Sequence, residues 1–214
     1  MGKPIARKLV VLGDGACGKT SLLTVFTNGT LFGQSYFPTT YEPTVFENYV
    51  ELLQVDDQAV EMSLWDTAGQ EEFDRLRSLS YADTHIIMIC FSVDSPVSLD
   101  NAGTKWMDEV TEHCPGVKLI LIALKCDLRD DPAVKEKLAR RALHPVSYEE
   151  GLSVARAIRA SRYLECSAKH NRGVQEAIYE AARVAIGSRP KGGGGASGTD
   201  RLRSGLRGRG CVIL

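Results

Sequence analysis

Gly13-Asp14-Gly15-Ala16-Cys17-Gly18-Lys19-Thr20 follows the apolar run Ile5–Leu12 directly, and its reading decides the fold. The stretch satisfies G-x-x-x-x-G-K-[ST] between a strand and a helix. Its glycines let backbone N–H groups turn inward around phosphates at a helix N-terminus. Lys19 then reaches the β- and γ-phosphates, and the Thr20 hydroxyl suits Mg²⁺, with Ser21 next in the nucleotide-binding set. Residues 13–18 also spell G-x-G-x-x-G, the dinucleotide fingerprint. Lys19-Thr20 would be incidental in such a turn, and no second strand ends in an acid about 20 residues later. A plain Gly-rich strand–helix turn explains neither residue.

Outward from this loop, Ile86–Val93 and Val117–Leu124 are nearly continuous apolar runs rich in β-branched residues, the pattern of buried strands. Val45–Val55 and Gln58–Trp65 flank Asp56-Asp57 as a hairpin, and Arg162–Cys166 is the last strand expected. Helices are expected over about 18–28, 73–81, 97–113, 147–160 and 173–186, with a charged helical insertion at Pro132–Leu143. Alternating strand and helix specify an α/β domain. Its sheet is mostly parallel and six-stranded, with one antiparallel edge pair, helices on both faces, and ligand loops at the strands' C-terminal ends.

The composition, 43% hydrophobic, 25% charged and 7% aromatic over 214 residues, suits one globular domain with a tail. The expected division is a domain over 1–187 and a flexible tail over 188–214, beginning with Gly/Ser-rich sequence that cannot bury a core. The tail holds six Lys or Arg against one acid, whereas the first 187 residues hold 20 bases against 26 acids. A basic tail on an acidic body points to an anionic surface as partner. The six cysteines form no C-x-x-C pair and no apolar leader opens the sequence, which favours a reduced, cytosolic setting. The longest apolar runs, Ile86–Phe91 and Leu119–Leu124, fall far short of the roughly 20 residues a bilayer span needs.

Asp66-Thr67-Ala68-Gly69-Gln70 has the form D-x-x-G and follows the third expected strand. Asp66 is placed to hold Mg²⁺ through water, Gly69 to offer its N–H to a γ-phosphate, and Gln70 to orient the attacking water. Base choice falls to Lys125-Cys126-Asp127 and Ser167-Ala168-Lys169, each after a strand. The Asp127 carboxylate can accept from guanine N1–H and the 2-amino group together, whereas adenine would leave it desolvated and unpaired. The Lys125 stem can lie across the base, and the Ala168 N–H can donate to O6.

These four elements together resemble the Ras superfamily of small GTPases over about residues 5–187. Tyr41-Glu42-Pro43-Thr44-Val45-Phe46-Glu47-Asn48-Tyr49 is similar to the first switch of the Rho family, where effectors dock. Trp65–Asp74 resembles its second switch, and the insertion near 132–143 resembles the segment that marks Rho proteins. The wording at Leu124–Asp127 and Arg75–Tyr81 looks most like fungal Rho proteins linked to polarised secretion and actin organisation. The resemblance implies GTP/GDP and Mg²⁺ as ligands. It makes Thr44 the second Mg²⁺ ligand and γ-phosphate sensor, Phe37 the aromatic against guanine, and Tyr41 the one closing over the phosphates. It further implies exchange factors, GTPase-activating proteins, a dissociation inhibitor and downstream effectors as partners. In Ras, unaided hydrolysis runs on the order of 10⁻⁴ per second, and an arginine supplied in trans adds about 10⁵-fold. Phe37–Glu47 contains no arginine to act in cis, so hydrolysis should depend on an activating partner.

Two departures stand out. Leu124 occupies a position usually polar in the family, often Asn, so one hydrogen bond worth about 0.5–1.5 kcal/mol is forgone. Nucleotide affinity should fall by up to about tenfold, with guanine preference kept by Asp127. Thr30–Ser35 adds six residues before the Tyr36-Phe37-Pro38 of the first switch. A functional loop, a neutral insertion and a gene-model artefact all stay open, and Phe32 competes with Phe37 for the base. Loop lengthening costs only some tenths of a kcal/mol in closure entropy. Together the departures keep a second hypothesis open, a GTP-bound interaction module with negligible turnover.

Cys211-Val212-Ile213-Leu214 has the form C-a-a-X with X = Leu, which favours geranylgeranylation at Cys211. One lipid anchors marginally. Arg201, Arg203, Arg207 and Arg209 add about 1 kcal/mol each near an anionic leaflet. The expected location is the cytoplasmic face of membranes, plasma membrane foremost, with a cytosolic pool. The tail's Arg/Gly spacing also suits RNA, but the stretch lacks aromatic stacking residues, so no nucleic-acid partner is expected. His85, His113, His144 and His170 show no metal-ligand spacing. Cys17 is either an oxidisable thiol in the phosphate loop or an inert small residue.

Overall fold

Asp56 takes a left-handed conformation (φ 51°) and closes a tight turn between Val55 and Gln58, which face each other across an antiparallel pair. This hairpin is one edge of a six-stranded sheet in a computed structural model that describes residues 3–32, 37–38, 44 and 46–191, with backbone only at 30–32. Tyr41, Glu42, Pro43 and Val45 of the expected effector segment, the 33–35 part of the insertion, and residues 192–214 of the tail, Cys211 among them, lie outside the described residues; Lys191 at the start of the tail pairs with Thr84.

The elements run β1 (Ile5–Gly13), α1 (Lys19–Phe32), β2 (Phe46–Val55), β3 (Gln58–Thr67), α2 (Asp74–Ser78), β4 (Ile86–Ser92), α3 (Pro96–Gly103) and α4 (Lys105–His113). Then come β5 (Lys118–Leu124), α5 (Pro132–Ala139), α6 (Tyr148–Ala157), β6 (Arg162–Glu165) and α7 (Val174–Ile186). The strand order is β2-β3-β1-β4-β5-β6, and β2–β3 is the antiparallel pair. Strand periodicity sorts the core into two layers. Leu9 and Val11 pack with α1 and α7, while Val10 and Leu12 pack with α3, α4 and α6. All seven residues of β4 are buried, as a parallel strand covered on both faces requires. Local signals start the outer helices: Asp131 caps α5 ahead of Pro132, and Ser147 and Glu150 form a capping box on α6.

Several boundaries differ from expectation. Helix α1 continues to Phe32, absorbing the first three inserted residues instead of ending near 28. The helix expected over 97–113 is two helices broken at Thr104 (φ −121°, ψ −88°). Gly103 and Thr104 are weak helix formers, and the Thr104 hydroxyl donates to the Asp100 carbonyl, a local bond that competes with the helix. The segment 73–81 is one turn of α-helix between two 3₁₀ turns, not a single helix. The insertion helix stops at Ala139, short of Leu143. Strand β3 runs two residues past Trp65, so Asp66 lies inside the strand, opposite Val11 on one side and Glu47 on the other. The Thr67 hydroxyl donates to the Val11 carbonyl at 2.7 Å and extends the pairing. No helix among the described residues is long and apolar enough to cross a membrane.

Candidate functional site

The loop after β1 needs glycine at its first position. Gly13 has φ 144°, and a Cβ there would lie 2.2 Å from the Cys90 carbonyl oxygen. Lys19 opens α1 and folds back over the loop, its Nζ donating to the carbonyls of Gly13 (2.7 Å) and Asp14 (2.8 Å). The Asp14 carboxylate is held on the far side, accepting from Trp106 Nε1 and Asn101 Nδ2, both at 2.8 Å. Its charge is thereby committed to α3 and α4. Burial pushes the Cys17 thiol above its ordinary range, which disfavours the reactive thiolate and favours the inert reading.

Beside the loop, the Thr20 and Thr44 hydroxyls hydrogen-bond to each other. Asp66 next to them is fully buried, and neither carboxylate oxygen makes a hydrogen bond. Burial raises its pKa to about 6, against the pull of the nearby Thr20 hydroxyl and the Lys19 ammonium. The Thr20 hydroxyl lies near enough to favour the charged form without meeting hydrogen-bond geometry. An unpartnered buried carboxylate beside two hydroxyls is a costly arrangement unless a cation joins it. The donors are all oxygen and include one carboxylate, so the set fits Mg²⁺ completed by phosphates and water.

The D-x-x-G segment lies against the phosphate loop. A Cβ on Gly69 would sit 2.3 Å from the Gly15 nitrogen, so only glycine permits this approach. The Gln70 side chain lies alongside Gly15, its Cδ 3.6 Å from where a Cβ on Gly15 would stand.

At the ends of β5 and β6 a cavity of about 130 Å³ is lined by Gly18, Ser21, Phe37, Leu124, Lys125, Asp127, Leu128, Ala168 and Lys169. That volume suits a planar ring system better than a lone ion or water. Lys125 is left-handed (φ 56°, ψ 37°), a strained state for a non-glycine residue, and its Nζ lies 3.8 Å from Asp94. Ser167 Oγ donates to Asp127 Oδ1 at 2.5 Å and accepts from the His170 N–H at 3.2 Å. The Cys126 N–H donates to the Cys166 carbonyl at 3.1 Å, and Arg129 forks onto Glu165 at 2.6 and 2.8 Å. The loops after β5 and β6 are therefore tied to each other. Of the two competing aromatics, Phe37 is the one on this cavity; the Phe32 side chain lies outside the described residues.

Leu124 is 2% exposed and packs beside Gly18 within the α1/α7 core. The position usually taken by a polar side chain thus supports the loop by apolar contact. Leu124→Asn should slow GDP release by up to about tenfold if it restores the missing hydrogen bond. The same change should lower the melting temperature of the nucleotide-free protein, since it buries an amide in place of a hydrocarbon. Stopped-flow release of a fluorescent GDP and thermal unfolding read the two effects separately.

Phosphate-loop, Asp66–Gln70, Lys125–Asp127 and Ser167–Lys169 residues thus meet at one end of the sheet. Thr44, Phe46, Glu47, Asn48 and Tyr49 continue from that end along edge strand β2. Sequence reading missed Leu128 in the cavity, the Trp106 and Asn101 clasp on Asp14, and the buried Arg77 below Gln70. The two clasp contacts span 92 and 87 residues, which no local spacing signals.

The Ras family model matches residues 8–186. GTP-binding protein Rho3 of Schizophyllum commune is 66% identical over 196 residues, covering 91% of this chain and 92% of its own length. The rho3 GTP-binding protein of Schizosaccharomyces pombe is 58% identical over 99% of this chain and 95% of its own. The corresponding RHO3 protein of Saccharomyces cerevisiae is 54% identical, covering 88% of both chains.

Proposed function

The chain belongs to the Ras family as a Rho-like, GTP-hydrolysing small GTPase, and on that premise we propose a Mg²⁺-dependent switch that controls effector binding at membranes. One observation carries the reading: Gly18, the last glycine of the phosphate loop, is also a wall of the cavity lined by Lys125, Asp127 and Ala168. A base seated there has its phosphates on the loop.

In this reading the N–H groups of residues 13–18 cradle the phosphates, and Lys19, already oriented by two carbonyls, holds the β- and γ-phosphates. Asp127 accepts from guanine, Lys125 and Phe37 sandwich the ring, and Ala168 donates to O6. Thr20, Thr44 and, through water, Asp66 would hold Mg²⁺, which when bound neutralises charge on the phosphates. Gln70 orients the attacking water beside Gly15, and Gly69 and Thr44 sense the γ-phosphate. Loss of those two contacts on hydrolysis releases both switch segments. Effectors dock at Tyr41–Tyr49, of which Phe46–Tyr49 belong to β2, an edge strand of the sheet among the described residues, with Val50 and Leu52 exposed beyond them. Exchange factors reload the protein and activating proteins complete hydrolysis. Residues 1–187 form this domain; the tail over 188–214 supplies a lipidated Cys211 and four arginines for reversible anchoring in polarity, secretion or actin signalling.

Single-turnover hydrolysis of bound GTP, with and without a Rho-type activating protein, tests the chemistry. Slow turnover that the partner accelerates is expected, together with faster GDP release when Mg²⁺ is chelated. No turnover in either condition would leave a GTP-bound interaction module instead.

A further inference from the structure

Arg77 sits below the second switch with its side chain 1% exposed, and all five of its N–H donors are engaged. Its Nε and Nη2 fork onto Glu109 of α4 at 2.6 and 3.1 Å, and Nη2 also donates to Asp74. Nη1 donates to the carbonyls of Ala68 (2.7 Å) and Gln70 (3.4 Å), which flank Gly69. Glu109 is itself held, since the Tyr81 hydroxyl donates to its Oε1 at 2.5 Å. One turn back on α4, Trp106 lies under the guanidinium (4.9 Å) and donates to Asp14 of the phosphate loop. A single helix therefore grips both the loop that carries the phosphates and the segment that carries Gln70.

We propose that Arg77, Glu109 and Tyr81 are positioning residues for hydrolysis, fixing the Ala68–Gln70 backbone at a set distance from the phosphate loop. The inference rests on the reading of Gln70 as the water-orienting residue. A buried ion pair is weak evidence for stability, because desolvation offsets most of its attraction. What it supplies is geometry: a planar fork that cannot deprotonate and has few ways to sit. Gln70 has no other described anchor of its backbone carbonyl beyond this arm and the turn bond from the Phe73 N–H. A shift of about 1 Å in a water-orienting group costs on the order of 10²-fold in rate, whereas none of Arg77, Glu109 and Tyr81 lines the base cavity.

The test uses the full chain loaded with GTP and Mg²⁺, comparing Glu109→Gln, Arg77→Lys, Tyr81→Phe and, as a control, Gln70→Leu. Single-turnover hydrolysis should slow about tenfold or more in Glu109→Gln and Arg77→Lys, and less in Tyr81→Phe, which keeps both charges paired. GDP release should stay within about twofold of wild type in all three, because the base and phosphate contacts are untouched. Tyr81→Phe also decides the matter if the charge variants fail to hold nucleotide. Wild-type hydrolysis in Tyr81→Phe and in any charge variant that folds, beside an impaired Gln70→Leu, overturns the positioning role and leaves Gln70 in place. Hydrolysis and nucleotide retention falling together in Tyr81→Phe would make the network merely structural and also overturn it. If Gln70→Leu hydrolyses as wild type, the reading of Gln70 itself has failed.

Discussion

Gln70→Leu should hold GTP as tightly as the wild type and hydrolyse it at least about 10²-fold more slowly in the presence of a Rho-type activating protein. The substitution keeps the volume that packs beside Gly15 and removes the amide that orients water. Gln70 lies outside both apolar cores and its side chain makes no hydrogen bond among the described residues, so stability should change by less than about 0.5 kcal/mol. Chemistry and folding are thus separable at this position. The measurement is phosphate release from a single loaded turnover, alongside the rate of GTP dissociation into excess unlabelled nucleotide. Equal hydrolysis rates in the two proteins would remove Gln70 from the mechanism.

The residues that sequence reading grouped most securely are those whose spacing fixes their backbone relationship. A phosphate loop must be a strand, a turn of defined length and a helix start, so Gly13–Thr20 carries its own geometry. Asp127 and Ser167 follow β5 and β6, two neighbouring parallel strands, and that pairing brings their loops together. The helix break at Thr104 was illegible because apolar periodicity continues across it: Leu99, Ala102, Trp106 and Val110 all face one core. Weak propensity at Gly103-Thr104 decided a question that periodicity could not. Polar pairings across the fold, such as Asp14 with Trp106 or Arg77 with Glu109, left no trace in spacing. In sequence, a buried arginine looks the same as a solvated one.

Leu124 shows how the same position can be read twice. As a sequence departure it is a lost polar contact, either to guanine N7 or to the phosphate loop. In the fold it is a wall of the base cavity and a core residue beside Gly18. The phosphate loop is therefore supported from below by hydrocarbon, from the side by the Asp14 clasp, and from within by Lys19. None of these supports requires a side chain at 124 that can hydrogen-bond. The expected deficit is confined to the base, which is why affinity rather than fold should register it.

Asp127→Asn should invert base preference, weakening GDP by about 10²–10⁴-fold and making xanthosine diphosphate the better ligand. The magnitude follows from losing two hydrogen bonds to a charged acceptor, each worth about 1.5–3 kcal/mol. The direction follows from Ser167. Its Oγ accepts from the His170 N–H and donates its one proton to Asp127 Oδ1, which as a carboxylate oxygen can only accept. In the asparagine variant the carbonyl oxygen retains that bond, and the NH₂ group is left facing the base. Guanine presents N1–H and a 2-amino group there, donor against donor, whereas the 2-carbonyl of xanthine accepts. Ser167→Ala in the Asp127→Asn background should blunt the inversion, because the amide is then free to flip and offer its oxygen to guanine. Competition of GDP and xanthosine diphosphate for a fluorescent nucleotide reads both variants. An unchanged preference for GDP in Asp127→Asn would show that some other group in the cavity chooses the base.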